Sequence, residues 1–133
     1  MIAVCFYFES HEANTYSGRD IDLQMWRESL KALGCTDLYV INSSGESITF
    51  NDATITLHEV ADYPEGNLVF FDPKGGIEIK DFNHPIDPIY VFGRDSSGLA
   101  LDNLESAVRL PLTNETWAIC AANIALYDRM LKL

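Results

Sequence analysis

Apolar positions follow two rhythms along this chain. Ile2 to Phe8 (IAVCFYF) is a near-continuous apolar run, the pattern of a parallel strand covered on both faces. Leu23, Trp26, Leu30 and Leu33 then recur at spacings of three and four, which predicts a helix to about Leu33. Asp20 or Asp22 can cap it, and Gly34 is a suitable stop. Leu38 to Ile41 reads as the next strand, followed by a turn at 42–45. Ile48 to Ile55 is polar with alternating apolar residues. Leu57 to Ala61 could continue a strand or make one helical turn, and the short helix is preferred because a turn at 64–66 separates it from a clear strand at Leu68 to Phe71. Residues 72–76 (DPKGG) form a loop, and Ile77 to Phe82 is a short strand or an irregular link. His84-Pro85 and Asp87-Pro88 bracket a turn, since helix is disfavoured before each proline.

The last third has a plainer pattern. Ile89 to Phe92 is a strand, Gly93 to Gly98 a loop, Leu99 to Ser106 a short helix, and Val108 to Leu110 a strand closed by Pro111. A long helix follows from about Thr116 to Leu131, with Asn114 as its expected cap and Glu115 in its first turn. It carries Trp117, Ile119, Cys120, Ala121, Ile124, Ala125, Leu126, Met130 and Leu131, so it is apolar on most of its circumference. Such a helix needs cover on more than one side. In a chain this short, the second cover is expected to be another copy of the chain. The whole pattern predicts one α/β domain over 1–133 with a mostly parallel sheet flanked by helices. Two strands that end in a glycine loop and in Pro-Leu predict a ligand held by backbone at their carboxyl ends.

Composition sharpens this picture. An apolar fraction of 47% over 133 residues supports a real core and excludes a disordered chain. No apolar run reaches membrane-span length, and MIAVCFYFES has no basic region or small-residue cleavage site, so neither a membrane anchor nor a signal peptide is expected. Cys5, Cys35 and Cys120 are odd in number and far apart, which fits a reducing cytoplasm, with Cys5 and Cys120 expected as small buried hydrophobes. His11, His58 and His84 show no ligand spacing, and no metal site is expected. Nine basic against 20 acidic residues give a net charge of −11. A polyanion would be repelled at long range, so nucleic-acid binding would need a local cluster of cations.

Several segments resemble one family. GRDSSGL at 93–99, following the strand IYVF, resembles the second motif of SpoU-type SPOUT methyltransferases, where a strand ends in a Gly-x-Glu-x-x-Gly-Leu loop. VRLPL at 108–112 is similar to the Ile-Pro-Met segment of their third motif, and ANIALYDRM at 122–130 to the Ala-rich helix that closes it. LHEVADYPEGNLVFFDPKG looks like the family's short acidic helix and third strand, and RESLKALGCTDLYVIN at 27–42 like its first motif. The resemblance implies a minimal, divergent member with a C-terminal trefoil knot. It further implies S-adenosylmethionine as cofactor, RNA as substrate through a tRNA or rRNA ribose 2′-hydroxyl, and a homodimer through the knot helices. Asp95 stands where the motif has Glu, and Glu115-Thr116-Trp117 replaces its Ser-Leu-Asn. The loop before that triplet is a few residues shorter. Arg27 lies about one residue from the first motif's arginine, and Asp20 or Ile21 falls near that motif's Asn.

These segments define the candidate residues. Backbone of Phe71, Asp72, Phe92, Gly93, Arg94, Gly98, Leu110, Pro111 and Leu112, with Thr116 and Trp117, is expected to hold the cofactor. Arg19, Arg27 and Asp95 are the catalytic candidates, since the resemblance assigns a first-motif arginine to activating the attacking hydroxyl. Arg19, in the polar loop after the first strand, is the better placed of the two arginines, and Arg27 reads equally as a helix-surface residue paired with an acid. Trp117 reads either as a stacking surface or as core and interface. The DPKGG loop reads as a simple turn or as a pocket wall. A second reading keeps the knotted dimer but gives it a non-catalytic binding or regulatory role. A third makes it a different small-substrate enzyme on an α/β sheet.

Overall fold

Strand β1 (Ala3–Phe8) lies inside a seven-stranded sheet whose pairings are all parallel. The computed structural model describes residues 1–8, 19–42, 54–93, 99, 103–114 and 116–133, with backbone alone for 19–23. Its elements in chain order are β1, α1 (Arg19–Ala32), β2 (Asp37–Asn42), β3 (Thr56–Val60), β4 (Asn67–Phe71), β5 (Ile77–Glu78), a 3-10 turn (Ile79–Asp81), β6 (Pro88–Phe92), β7 (Val108–Arg109) and α2 (Ala118–Lys132). Across the sheet the order is β3-β2-β1-β6-β4-β7-β5. Thus β6 inserts between β1 and β4, and β7 inserts between β4 and β5.

The apolar rhythms have direct physical outcomes. One face of the sheet carries Val4, Phe6, Leu38, Val40, Tyr90 and Phe92, which pack with Trp26 and Leu30 of α1 and with Ala122, Ala125 and Leu126 of α2. Trp26 stacks on Phe6 with ring centroids 3.8 Å apart. The other face carries Ala3, Cys5, Ile41, Ile89 and Val91 with Leu99, and Tyr7, Tyr63 and Phe70 pack against them. β1 and β6 are therefore buried on both faces, which is why their sequences are nearly unbroken in apolar residues. Gly34 ends α1 at φ 88°, its N–H donating to the Lys31 carbonyl, a conformation that favours glycine.

Four expectations are corrected. Leu57 to Ala61 is not helical: Thr56–Val60 is a strand in register with Asp37 to Ile41 of β2. Its half-exposed pattern is that of a sheet edge, where only weak alternation marks a strand. Residues 103–106 form a turn rather than the end of a helix, with the Ala107 N–H donating to the Leu104 carbonyl; residues 100–102 lie outside the described ones. The last helix opens at Ala118 with Trp117 in the cap position and no side-chain cap bond, so Asn114 does not cap it. Cys120 is exposed, because the face of α2 turned to the sheet carries Ala122, Ala125 and Leu126.

A buried polar network fastens α2 to the segment that leads into β6. His84 Nδ1 lies 2.6 Å from the Tyr90 hydroxyl, and Nε2 lies 2.6 Å from Asp128 Oδ2. Burial pushes the Tyr90 hydroxyl up, so it stays protonated and donates to Nδ1, while Nε2–H donates to Asp128. Lys132 Nζ adds 2.9 Å to Asp128 and donates to the carbonyls of Ile79 and Phe82. Arg129 Nη2 donates to the Ile86 carbonyl at 3.2 Å. Burial lowers the His84 pKa, outweighing the pull of Asp128 in the other direction. For Asp128, burial works upward and is overcome by the bonds from His84 and Lys132, so its carboxyl is held below its ordinary value.

Candidate functional site

β6, β4 and β7 are neighbours in the sheet, and their carboxyl ends converge on one edge. β6 ends at Phe92–Gly93, β4 at Phe71–Asp72, and β7 at Arg109–Leu110. Phe71 pairs in register with Phe92 on one side and Val108 on the other. The rings of Phe71 and Phe92 are buried and stacked at 5.0 Å, giving this edge a rigid apolar floor.

The turn after β4 is built with unusual closeness to its neighbours. The Asp72 N–H donates to the Val108 carbonyl at 3.0 Å, and the Asp72 carbonyl accepts from the Gly75 N–H at 2.9 Å. The buried Asp72 carboxylate accepts from Lys74 N at 2.9 Å and from Leu99 N at 3.4 Å. It thereby ties this turn to Leu99. A Cβ on Gly75 would stand 2.5 Å from the Ala107 carbonyl oxygen, and one on Gly76 2.4 Å from that of Glu105. Only glycine lets these two backbones approach. Arg109 completes the junction, donating to the Gly75 carbonyl at 2.9 Å and to Glu78 Oε1 at 2.7 Å.

Beyond β7 the chain is open. Pro111, Leu112, Thr116 and Trp117 are exposed, with Leu112 44% and Trp117 51% accessible. α1 begins after β1, at the same carboxyl edge of the sheet, and Arg19 is its first residue. Arg27 lies eight positions later, about 12 Å down the helix at 1.5 Å per residue. Its guanidinium pairs with Glu28 at 2.8 Å. The structure therefore gathers Phe71, Asp72, Phe92, Gly93, Leu110, Pro111 and Leu112 at one edge. Arg94, Asp95 and Gly98 lie outside the described residues, as does the side chain of Arg19. Gly75, Gly76 and Arg109 escaped the reading of the sequence as site residues. The adjacent glycines were the available signal, whereas the Arg109 contacts depend on strand order. No group of three His, Cys, Asp or Glu that could hold a metal ion occurs among the described residues.

No family model matches the chain, and no curated protein matches it. Solved structures do. A chain from work on the 2-OH methylation of C/U34 on tRNA superposes with a TM-score of 0.71 at 17% identity, covering 98% of this chain and 96% of that one. The A. aeolicus TrmH/SpoU tRNA modifying enzyme superposes at 0.70 with 13% identity, covering 98% and 74%. The chain has the SpoU-type fold. The SpoU methyltransferase AviRb from Streptomyces viridochromogenes, solved with the cofactor AdoMet, superposes at 0.69 with 17% identity. That match covers 98% of this chain and 57% of AviRb, so the chain spans just over half of that protein's length.

The carboxyl edge suits an adenosyl ligand on its own chemistry. It offers two accessible apolar side chains, Leu112 and Trp117, to a flat purine, and main-chain polar groups to its nitrogens and ribose. The chain turns back on itself just past β7, the Leu112 N–H donating to the Leu110 carbonyl at 2.8 Å. Among the described residues here, Lys74 and Arg109 are the cations, and Arg109 is already paired.

Proposed function

We propose that this chain is a SPOUT-superfamily methyltransferase of the SpoU type that uses S-adenosylmethionine to methylate RNA, with a tRNA or rRNA ribose 2′-hydroxyl as acceptor. The observation that carries this is the junction of three adjacent parallel strands in a backbone-lined edge, on a fold shared with AviRb, which was solved with AdoMet. The cofactor would supply a methyl group on a sulfonium, which already has a good leaving group. The chain's own task is then to bind, align and accept a proton. Phe71, Asp72, Phe92, Gly93 and Leu110 to Leu112 would hold the adenosyl part, with Arg94, Gly98, Thr116 and Trp117 bordering it. Arg19 would activate the acceptor hydroxyl and Asp95 would orient it, with Arg27, about 12 Å further down α1, as the alternative. A trefoil knot fits the insertion of β6 and β7 between earlier strands. A cytoplasmic location fits the free cysteines.

The same reading makes the protein a homodimer through α2. Trp117, Cys120, Ile124, Tyr127 and Leu131 repeat at alternating spacings of three and four and are all exposed. A seam of that spacing is the kind that two helices bury together. Calorimetric titration with S-adenosylmethionine and S-adenosylhomocysteine tests the cofactor, and transfer of a labelled methyl group to total tRNA and rRNA tests the activity. Binding at micromolar concentration with transfer that disappears in Arg19→Ala is expected. No heat with either ligand would overturn the cofactor assignment. Binding without transfer to any RNA would favour a non-catalytic knotted dimer, the role more easily reconciled with a net charge of −11. Tyr127→Glu should shift the protein from dimer to monomer in sedimentation velocity.

A further inference from the structure

We infer that Arg109 is a positioning residue for the adenosyl pocket: it fixes the Asp72–Gly76 turn against β7 so that the two main-chain walls of the pocket keep one spacing. The inference rests on the cofactor reading above and extends it to a residue outside the pocket's lining.

β7 is held by few register pairs. The strand is two residues long, and it meets β4 through the single register pair Phe71 with Val108. On its other side it meets β5, which is also two residues long. Main-chain bonds to the carbonyls of Leu104, Ala107 and Val108 hold the start of β7, whereas Leu110 to Leu112 extend directly from its end. Arg109 supplies what the ladder lacks. One nitrogen of its planar fork holds the Gly75 carbonyl at 2.9 Å and the other holds Glu78 Oε1 at 2.7 Å. A rigid fork that grips two points three residues apart fixes direction as well as distance. A Cβ on Gly75 would stand within 3.0 Å of the Ala107 and Val108 backbone, so the fork acts at a tight point of the junction.

Exposure separates this role from a simply stabilising one. The Arg109 and Glu78 side chains are 38% and 42% accessible, and Glu78 is shared with Lys80 at 3.1 Å. An ion pair that open to solvent adds little to global stability. Its effect should fall on local geometry, and therefore on ligand affinity.

The test measures S-adenosylhomocysteine affinity by calorimetry and the ligand-free urea midpoint in the wild type, Arg109→Met, Arg109→Lys and Glu78→Gln. Arg109→Met is expected to weaken binding about tenfold, a change of about 1.4 kcal/mol, with a midpoint close to wild type. Arg109→Lys should weaken it about threefold, because one ammonium cannot hold both acceptors with a fork's geometry. Glu78→Gln, which leaves the Gly75 bond in place, should stay within about twofold. Wild-type affinity in Arg109→Met overturns the inference while leaving the cofactor reading intact. If Arg109→Met does not fold, wild-type affinity in Arg109→Lys overturns it in the same way. A wild-type protein that binds no ligand overturns the cofactor reading, and this role with it.

Discussion

The two ends of this parallel sheet dispose of their polar groups in opposite ways. Near the amino ends, side chains bond to one another: His84 with Tyr90 and Asp128, Lys132 with Asp128, and the terminal ammonium of Met1 with Asp87 at 3.1 Å. At the carboxyl ends of β4 and β7 the side chains turn largely onto main chain, the Asp72 carboxylate onto backbone N–H groups and Arg109 onto a backbone carbonyl as well as Glu78. The first arrangement closes a junction. The second shapes one and leaves its outer surface, from Pro111 to Trp117, to something else. Damage at the amino end should therefore appear as lost stability, and damage at the carboxyl end as lost affinity.

The largest effect is expected from His84→Ala. It removes the acceptor of the buried Tyr90 O–H and a donor from Asp128, while opening a cavity beneath α2. A loss of about 3 kcal/mol in urea unfolding is expected, with S-adenosylhomocysteine affinity unchanged in the protein that remains folded. Tyr90→Phe, which deletes only the hydroxyl, should cost about 1 kcal/mol. If either variant weakened the ligand as strongly as Arg109→Met, the division between the two ends would collapse.

Acid should reproduce part of that loss without a mutation. The folded pKa of His84 lies below its ordinary value of 6.5, so the unfolded chain takes up a proton there before the folded one does. Stability is then fully present above about pH 6.5 and falls as the pH drops toward the folded value. Protonation would also put an N–H where the Tyr90 hydroxyl now donates. Asp128, lowered from 3.8, adds a second loss only below that pH, as its carboxylate is neutralised. Wild type should show a declining urea midpoint below pH 6.5, and His84→Gln should lack that first step. An identical pH profile in the two proteins would remove His84 as its origin.

The difference between the ends also explains what could be read in advance. β1, β2, β4 and β6 were visible because burial on two faces imposes apolar runs, and α1 because its inner face repeats every three or four residues. β3 was not, since an edge strand carrying His58 and Glu59 shows little of the pattern that burial imposes. The floor of the carboxyl edge, Phe71 and Phe92 with the Leu110 to Leu112 segment, followed from strand endings and their glycine and proline punctuation. The His84 network could not follow from any such signal. Its members are 6 and 44 residues from His84, and only the insertion of β6 beside β4 under α2 brings them together. Arg109 belongs to the same class, 34 residues from Gly75. Local rhythm reports burial, whereas contacts across inserted strands report topology.

The smallest effect marks where the carboxyl end stops. Arg19 and Arg27 both lie on α1, at its first residue and eight positions on. Arg27 is bonded to Glu28, whose other oxygen meets Lys31 at 3.7 Å; the Arg27 side chain is 20% accessible and that of Glu28 59%. An ion pair whose acid is this exposed contributes about 0–1 kcal/mol. Arg27→Gln should therefore shift the urea midpoint only slightly and leave methyl transfer within about twofold of wild type, while Arg19→Ala abolishes transfer at unchanged ligand affinity. The paired comparison is informative because the two substitutions remove the same charge from the same helix. If Arg27→Gln proved the more damaging to transfer, the acceptor would have to lie down the side of α1, and the carboxyl edge would hold only the cofactor.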